Sequence, residues 1–462
     1  MSAAALLQRP LLARLGTALR VHAPAVRRMQ WLVVALYAGL VVVPAFLPLP
    51  PDDARALDHL AVFAQWMFWG LWWPLVLLSM VVAGRTWCGL LCPEGTLTEA
   101  ASRFGLGRPV PKWMRWGGWP FAAFALTTIY GQLVSVYQYA TAALLVLGGS
   151  TLAAIVVGFV YGKEKRVWCR HLCPVNGVFG LLARLAPVHY KVDSATWKAN
   201  AGHIAIHPVN CAPMVRIKRM DGASECHMCA RCSDHLGAVT LAARSPQREI
   251  ANLPLASASA YDARLIVFGL LGVAIGAFHW AASPWFVQLK LLVAGFVIDH
   301  GPAWLLRSDA PWWLVTNYPE ANDVFTPLDG LLIVAYIVAT ALVLGGAVSL
   351  CLRVAALAWP AQRTAQARRL AYSLVPLAGL GVFLGLSGLT VTLIRHEGLA
   401  TGWVPALRAA VVAVGAGWSV HLAWRQTSTL GSLPRRALAT GAVTLGVAAV
   451  VASWVLLYAV WA

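Results

Sequence analysis

Nine cysteines occur in this 462-residue sequence, and eight of them fall into groups whose spacing suits metal–thiolate chemistry. Two segments align as copies: Trp87-Cys88-Gly89-Leu90-Leu91-Cys92-Pro93-Glu94-Gly95 and Trp168-Cys169-Arg170-His171-Leu172-Cys173-Pro174-Val175-Asn176-Gly177, each reading W-C-x-x-x-C-P. Two Cys four apart on a turn can direct both sulfurs to one side. A Pro directly after the second suits the first position of a new helix, where its missing N–H costs nothing. The N–H groups at that helix start are then free to stabilise a thiolate or a sulfide-bearing cluster. Each copy precedes a short amphipathic stretch, 96–105 or 177–186.

Further along come Cys211 and then Cys226-His227-Met228-Cys229-Ala230-Arg231-Cys232. A C-x-x-C-x-x-C run is the three-thiolate signature of a [4Fe–4S] cluster, with a distant Cys as the fourth ligand. The chain after Cys232 reads Ser-Asp-His-Leu-Gly rather than supplying a further Cys-Pro, so Cys211 is the nearest candidate for that ligand. Zinc would also be satisfied by four thiolates in two groups, although the even spacing favours iron–sulfur. For Cys88, Cys92, Cys169 and Cys173 three readings stand: a second cluster with two ligands from each copy around a pseudo-twofold axis, a copper or zinc site, or a redox-active thiol pair. Cys351, at the end of an apolar run, reads as a small packing residue.

The elements that must position these groups are membrane helices. Apolar residues make up 59% of the chain and charged ones only 12%, which no ordinary soluble fold matches. Runs of about 20 apolar residues, enough to cross ~30 Å of hydrocarbon, lie at 31–49, 60–83, 118–137, 142–161, 263–282, 328–352, 371–394, 404–424 and 437–461. The fold expected is an all-α polytopic membrane protein of about nine transmembrane helices with a cytoplasmic, cysteine-rich, ferredoxin-like insertion. A tenth run, 285–299, is shorter and ends in Asp299-His300-Gly301-Pro302, as an interfacial or re-entrant helix would.

The net charge of +18 then reads as loops held on the cytoplasmic face. Arg9, Arg14, Arg20, Arg27 and Arg28 place the N-terminus inside. Loops 84–117, 162–262, 353–370 and 425–436 become internal and collect most bases, whereas the outer segments hold Asp52, Asp53, Asp58, Asp309, Glu320 and Asp323. The organisation expected is a basic amphipathic segment, 1–30, whose Leu6, Leu7, Leu11, Leu12, Leu15 and Leu19 suit the inner leaflet; a four-helix membrane core with the duplicated loops, 31–187; a cytoplasmic iron–sulfur segment, 188–262; and a C-terminal membrane domain, 263–462. No cleavable signal peptide is evident.

An electron crossing the bilayer would need groups near the outer face as well. His59, His279, His300 and His396, with Asp299, Glu320, Asp323 and Glu397, are the candidates, all at span ends where water satisfies them. His421 lies deeper and has no clear bis-His partner, so haem is conceivable without support. The Trp-rich segment from Trp304 to Asp329, with Trp312, Trp313, Tyr318 and Pro319, fits an aromatic belt or a docking surface for a redox partner. Gly345-Gly346 and Gly379, Gly381, Gly385 and Gly388 suit close helix packing. No phosphate-binding loop, dinucleotide fingerprint or hydrolase arrangement occurs. The bases of loop 162–262 are interspersed with acids, against nucleic acid.

With its paired C-x-x-x-C-P loops and ferredoxin-type cysteine cluster, the chain over roughly residues 30–245 resembles the bacterial membrane polyferredoxins that include NapH, NosR and CcoG. The resemblance implies electron transfer in the bacterial inner membrane. This chain departs from NapH-like and CcoG-like members in having one incomplete ferredoxin motif and five further spans. That combination looks like the FtrD-type polyferredoxin of ferrous-iron uptake systems. It implies one or two [4Fe–4S] clusters, a periplasmic cupredoxin or iron permease complex as redox partner, and electrons linked to periplasmic Fe(II) oxidation. The alternatives are a NapH-like quinol dehydrogenase subunit, with quinone as partner, and a non-catalytic metal–thiolate regulator or assembly factor. Arg170, Arg216, Lys218, Arg219 and Arg231 would favour the reduced, more negative cluster. Arg231→Glu is therefore expected to lower the cluster potential in a redox titration.

Overall fold

A computed structural model describes residues 10–51, 53–201, 209–220 and 222–461; Leu6, Leu7, Arg9 and Asp52 of the expectations above lie outside the described residues. The chain is 72% helical. Among the described residues strands are confined to two short antiparallel pairs, Val188–Val192 with Val239–Ala243 and Asn317–Tyr318 with Asp323–Val324.

Eight helices among the described residues are long and apolar enough to cross a membrane: Ala23–Phe46, Leu60–Ala83, Ala140–Tyr161, Ala260–Ala282, Pro327–Ala356, Pro360–His396, Val404–Thr429 and Leu433–Val460. The chain is thus an all-α multi-pass membrane protein. The run expected over 118–137 differs from the other eight, because its helix, Trp119–Leu133, has only 15 residues. At ~1.5 Å per residue that is about 22 Å, shorter than the other eight. The segment ahead of Pro327 takes over its end: Thr316 donates its N–H to the Leu133 carbonyl (2.7 Å), and the Ser135 and Thr316 hydroxyls bond at 2.7 Å. Ser135 itself adopts φ 49°, which ends the helix. The shorter run 285–299 forms the 17-residue helix Pro284–His300, tied to the next span by Lys290–Asp329 at 2.7 Å and by Phe286 against Tyr336.

The chain packs as two compact units. One comprises Met1–Gly39, Leu75–Pro120 and Gly149–Glu249. In it, helix Pro93–Arg103 lies against Gly149–Tyr161, and the approach depends on small residues: a Cβ on Gly158 would stand 2.4 Å from the Thr98 carbonyl oxygen. The basic helix Leu11–Val21 rests on the strand pair. Its Leu12 and Leu19 pack with Tyr190, Val239 and Leu241, while Leu11 and Leu15 stay exposed. Only one side of the amphipathic segment is therefore available to a lipid surface.

The other unit comprises Leu40–Pro74, Phe121–Gly148 and Ile250–Ala462. Its core joins Val273 and Ala277 to Leu332, Ile333, Ile337 and Ala341. Gly345, Gly381 and Gly385 make room for the rings of Phe268, Trp454 and Phe278, whereas Gly346 and Gly388 face open space. Cys351 packs against Gly446, whose Cβ position lies 3.3 Å from the Cys351 Cβ.

Candidate iron–sulfur centres

The duplication seen in the sequence persists in hydrogen-bonding detail. In the first copy the Trp87 carbonyl accepts the N–H groups of Leu91 and Cys92, both at 2.9 Å; in the second the Trp168 carbonyl accepts those of Leu172 (2.9 Å) and Cys173 (3.0 Å). This turn folds each second cysteine back toward its first. The copies then diverge. Pro93 opens the helix Pro93–Arg103, and the N–H of Gly95 donates to Cys92 Sγ at 3.4 Å, as the spacing predicts. Pro174 does not open a helix, because the next one, Asn176–Leu182, begins two residues later. The second copy places Val175-Asn176 where the first has Glu94-Gly95, and a turn replaces the helix start.

All eight grouped cysteines are free thiols. Cys88, Cys92, Cys169 and Cys173 form one electrostatic neighbourhood. Burial, then the neighbouring thiols and Glu94, push Cys92 well above the ordinary thiol range, and burial, Glu94 and the other three do the same to Cys173. Burial raises Cys169 to about 12, with Arg166 opposing the shift and Cys88 adding to it. Four thiolates so placed would repel one another, and a cationic core such as a thiolate-held metal group supplies would hold them together. Glu94 lies beside them, accepting from Ser150 Oγ (2.7 Å) and Trp168 Nε1 (3.0 Å). Burial raises its carboxyl, and those two bonds offset only part of the rise.

Cys211, Cys226, Cys229 and Cys232 line one cavity with Tyr190, Met220 and Arg231. The N–H of Val215 donates to Cys211 Sγ (3.3 Å) and that of Met228 to Cys226 Sγ (3.4 Å). Met214, Met228 and Ala230 adopt positive φ (58°, 56° and 62°). Left-handed non-glycine residues cost on the order of 1–3 kcal/mol each and gather where a backbone must wrap a ligand. Burial pushes Cys226 up to about 12 and raises Cys232, which Cys226, Cys229 and Cys211 push further. Among the described residues no three His, Cys, Asp or Glu side chains surround a point that one metal ion could occupy. A [4Fe–4S] core takes each thiolate on a different iron, so its ligands stand farther apart than those of one ion. The donor set of each quartet, all-sulfur with backbone N–H support, fits that core.

Of the cationic groups that the composition of the loop points to, Arg231 lines the cavity of the second quartet and acts on Cys211. Arg170 pairs with Glu225 (2.8 Å) on the surface, and Arg231 pairs with Glu99. Lys218 and Arg219 are exposed. Buried instead are Arg85 and Arg166, at 4% and 2% exposure. A signal for both was present, since they occupy the same place in the two copies and extend the repeat to R-x-W-C-x-x-x-C-P. Arg166 donates Nε to Glu99 Oε2 (2.8 Å), and Glu99 is itself buried. Burial raises the Glu99 carboxyl, but Arg166 and Arg231 outweigh it and hold it below the usual range. Glu99→Ala, which leaves Arg166 buried without its carboxylate, is expected to destabilise the protein by about 3–5 kcal/mol, read as a lowered Tm. The contribution is complete above the ordinary carboxylate pKa and disappears as pH falls through the lowered one. The wild-type and variant Tm values should accordingly converge in acid.

The candidate groups of the second unit do not gather into a site. His59 caps a helix, accepting from the Ala61 N–H (3.2 Å); Glu397 accepts from the Ala56 N–H (2.7 Å); Asp323 accepts from the Tyr139 hydroxyl (2.9 Å). His300, His396 and His421 are exposed, as are Asp299 and Glu320. His279 departs from the expectation of a water-satisfied span end. It is 4% exposed, lies against the rings of Trp454 and Trp461, and its Nε2 has no hydrogen-bond partner.

Comparison with known proteins bears on the cysteine loops. A family model described as a 4Fe-4S binding domain matches residues 65–111 and 143–192, the stretches that contain the two copies. The methylamine utilization ferredoxin-type protein MauN of Methylorubrum extorquens is 27% identical over 139 residues, 28% of this chain and 48% of its own length. MauN of Paracoccus denitrificans is also 27% identical over 139 residues, 27% of this chain and 48% of its own length. YccM of Escherichia coli, provisionally described as an electron transport protein, is 22% identical over 231 residues, 44% of this chain and 64% of its own length. The chain thus spans 48–64% of the length of these curated relatives. No solved structure matches it. The likeness to a 4Fe-4S binding domain thus falls on the two cysteine loops and the apolar helices that lead into them.

Proposed function

We propose that the protein is a membrane electron carrier with two [4Fe–4S] centres, one held by Cys88, Cys92, Cys169 and Cys173 and the other by Cys211, Cys226, Cys229 and Cys232. The observation that carries this reading is that the duplicated loops, where the 4Fe-4S family matches, bring Cys88, Cys92, Cys169 and Cys173 together, Cys88 and Cys169 buried and the other two half-buried. Each centre, when bound, supplies a one-electron carrier. The chain's own part is to hold it, to exclude water by burying the sulfurs, and to meet the added negative charge with the N–H groups of Gly95, Val215 and Met228. We place the cysteines on the cytoplasmic side of the bacterial inner membrane, with the N-terminus inside, a reading that the basic loops support. Protein purified without oxygen should contain iron and sulfide in equal amounts and give a reducible EPR signal. Zinc without sulfide would reject the carrier in favour of a metal–thiolate regulator or assembly factor.

The electron source we propose is periplasmic Fe(II) oxidation during iron uptake, with a cupredoxin or iron permease complex as partner; the five spans beyond the cysteine-bearing part support it. Growth of a deletion strain on limiting Fe(II) should slow, and undiminished growth would reject this source while leaving the carrier intact. A quinol-oxidising role has one observation in its favour. In the second unit a cavity of about 520 Å³ is lined by Trp69, Tyr137, Gln138, Thr141 and the stacked pair Tyr139–Tyr318, a size and lining that suit a ring-bearing ligand. Quinol-dependent reduction of the centres in isolated membranes would establish it, and failure of quinol to reduce them would exclude it.

A further inference from the structure

Arg85 and Arg166 each flank the short helix that carries the first cysteine of their copy, Thr86–Leu90 and Val167–His171, as its N-cap residue. Burying a guanidinium is costly unless its charge and its N–H groups are used. Here the use is reciprocal. Arg85, in the first copy, donates to Asn176 Oδ1 (2.6 Å) in the second copy and to the Ser224 carbonyl (2.8 Å) just ahead of Cys226. Arg166, in the second copy, donates to the Cys88 carbonyl in the first, and its backbone N–H donates to the Ala212 carbonyl (2.8 Å) beside Cys211. Each arginine thus ties the opposite copy to the ferredoxin-type segment.

Their charges reach both quartets. Arg85 acts on Cys169 and on Cys226, and Arg166 interacts with Cys169 and with Cys229. Arg166 shares Glu99 with Arg231, but the partners of Arg85 are a carbonyl and an amide, both neutral, and its Nε has none. A buried cation without a carboxylate, set between two groups of thiolates, is a counter-ion for whatever negative charge those thiolates carry.

We propose that Arg85 and Arg166 are shared positioning residues of the two centres, standing between the quartets and holding both reduction potentials up together. The proposal rests on the two-centre reading of the function. In the full-length protein, Arg85→Met should lower both midpoint potentials in an EPR-monitored redox titration. At a fixed poise the reduced-to-oxidised ratio of each centre should fall about tenfold, which for one electron is about 59 mV. Iron and sulfide content should not change, and Arg85→Lys should restore most of the shift. Asn176→Asp tests the same charge without removing the arginine: it sets a carboxylate on Arg85 at a half-buried position, and should also lower both potentials. Unmoved potentials in Asn176→Asp, or a shift of one centre alone, would overturn the proposal. Absence of any reducible iron–sulfur signal in the wild type would instead overturn the functional reading beneath it.

Discussion

Cys173→Ala is expected to strip the protein of about half its iron and acid-labile sulfide and leave the other half reducible. Cys173 is half-buried among the thiols of Cys88, Cys92 and Cys169 and the half-buried Glu94, and among the described residues no fifth cysteine acts on it to replace the lost sulfur. A [4Fe–4S] core deprived of one thiolate and offered no substitute is lost as a unit. The quartet of Cys211, Cys226, Cys229 and Cys232 has its own cavity and its own backbone donors, and should survive. Cys232→Ala is expected to give the converse half, and the double variant should hold almost no iron. Cys351→Ala is the control: its side chain packs against Gly446, and iron should remain at the wild-type level. Full iron retention in Cys173→Ala would remove the first quartet from the ligand set.

Local pattern made the helices and the cysteine loops legible, and what escaped the sequence was decided by packing at a distance. Apolar length alone finds eight of the spans, because a span needs little beyond length and low charge. It misjudges 118–137 because nothing within that stretch reveals that Thr316 will take the Leu133 carbonyl and Ser135. The second copy looks like the first through its Pro, yet Val175-Asn176 in place of Glu94-Gly95 turns a helix start into a turn. Counting bases near the cysteines led to Arg170 and Arg231, which are paired with Glu225 and Glu99. Arg85 and Arg166 were visible only to an alignment carried two residues further upstream. Burial of His279 among Trp454 and Trp461 depends on a helix far along the chain, and no local window contains it.

Gly89→Ala is expected to uncouple the two centres. The carbon it adds would stand 2.0 Å from the His227 carbonyl oxygen and 2.8 Å from the Cys229 nitrogen. Both are backbone atoms, so no side-chain rotation can relieve the contact. Ordinary overpacking costs about 1–3 kcal/mol because neighbours shift, but here the shift must move one cysteine loop off the other. Each loop also has an anchor of its own: the Gly89 carbonyl accepts from Gln30 Nε2 (3.0 Å), and the turn around Cys226 is held by the Met228 N–H. Each centre should therefore persist while their separation grows. EPR of the fully reduced wild type should show broadening from spin interaction between neighbouring centres, and Gly89→Ala should narrow both signals at nearly unchanged iron content. Gly39→Ala, in open space, should leave the spectrum as it was. The copies themselves explain why this contact is one-sided. Where the first has Gly89, the second has Arg170, whose long side chain turns outward to Glu225. The first copy thus brings its backbone beside Cys88 against that of His227 and Cys229, and this is the approach that Gly89→Ala opens. Broadening that survives in Gly89→Ala would show that this approach does not set the spacing of the centres.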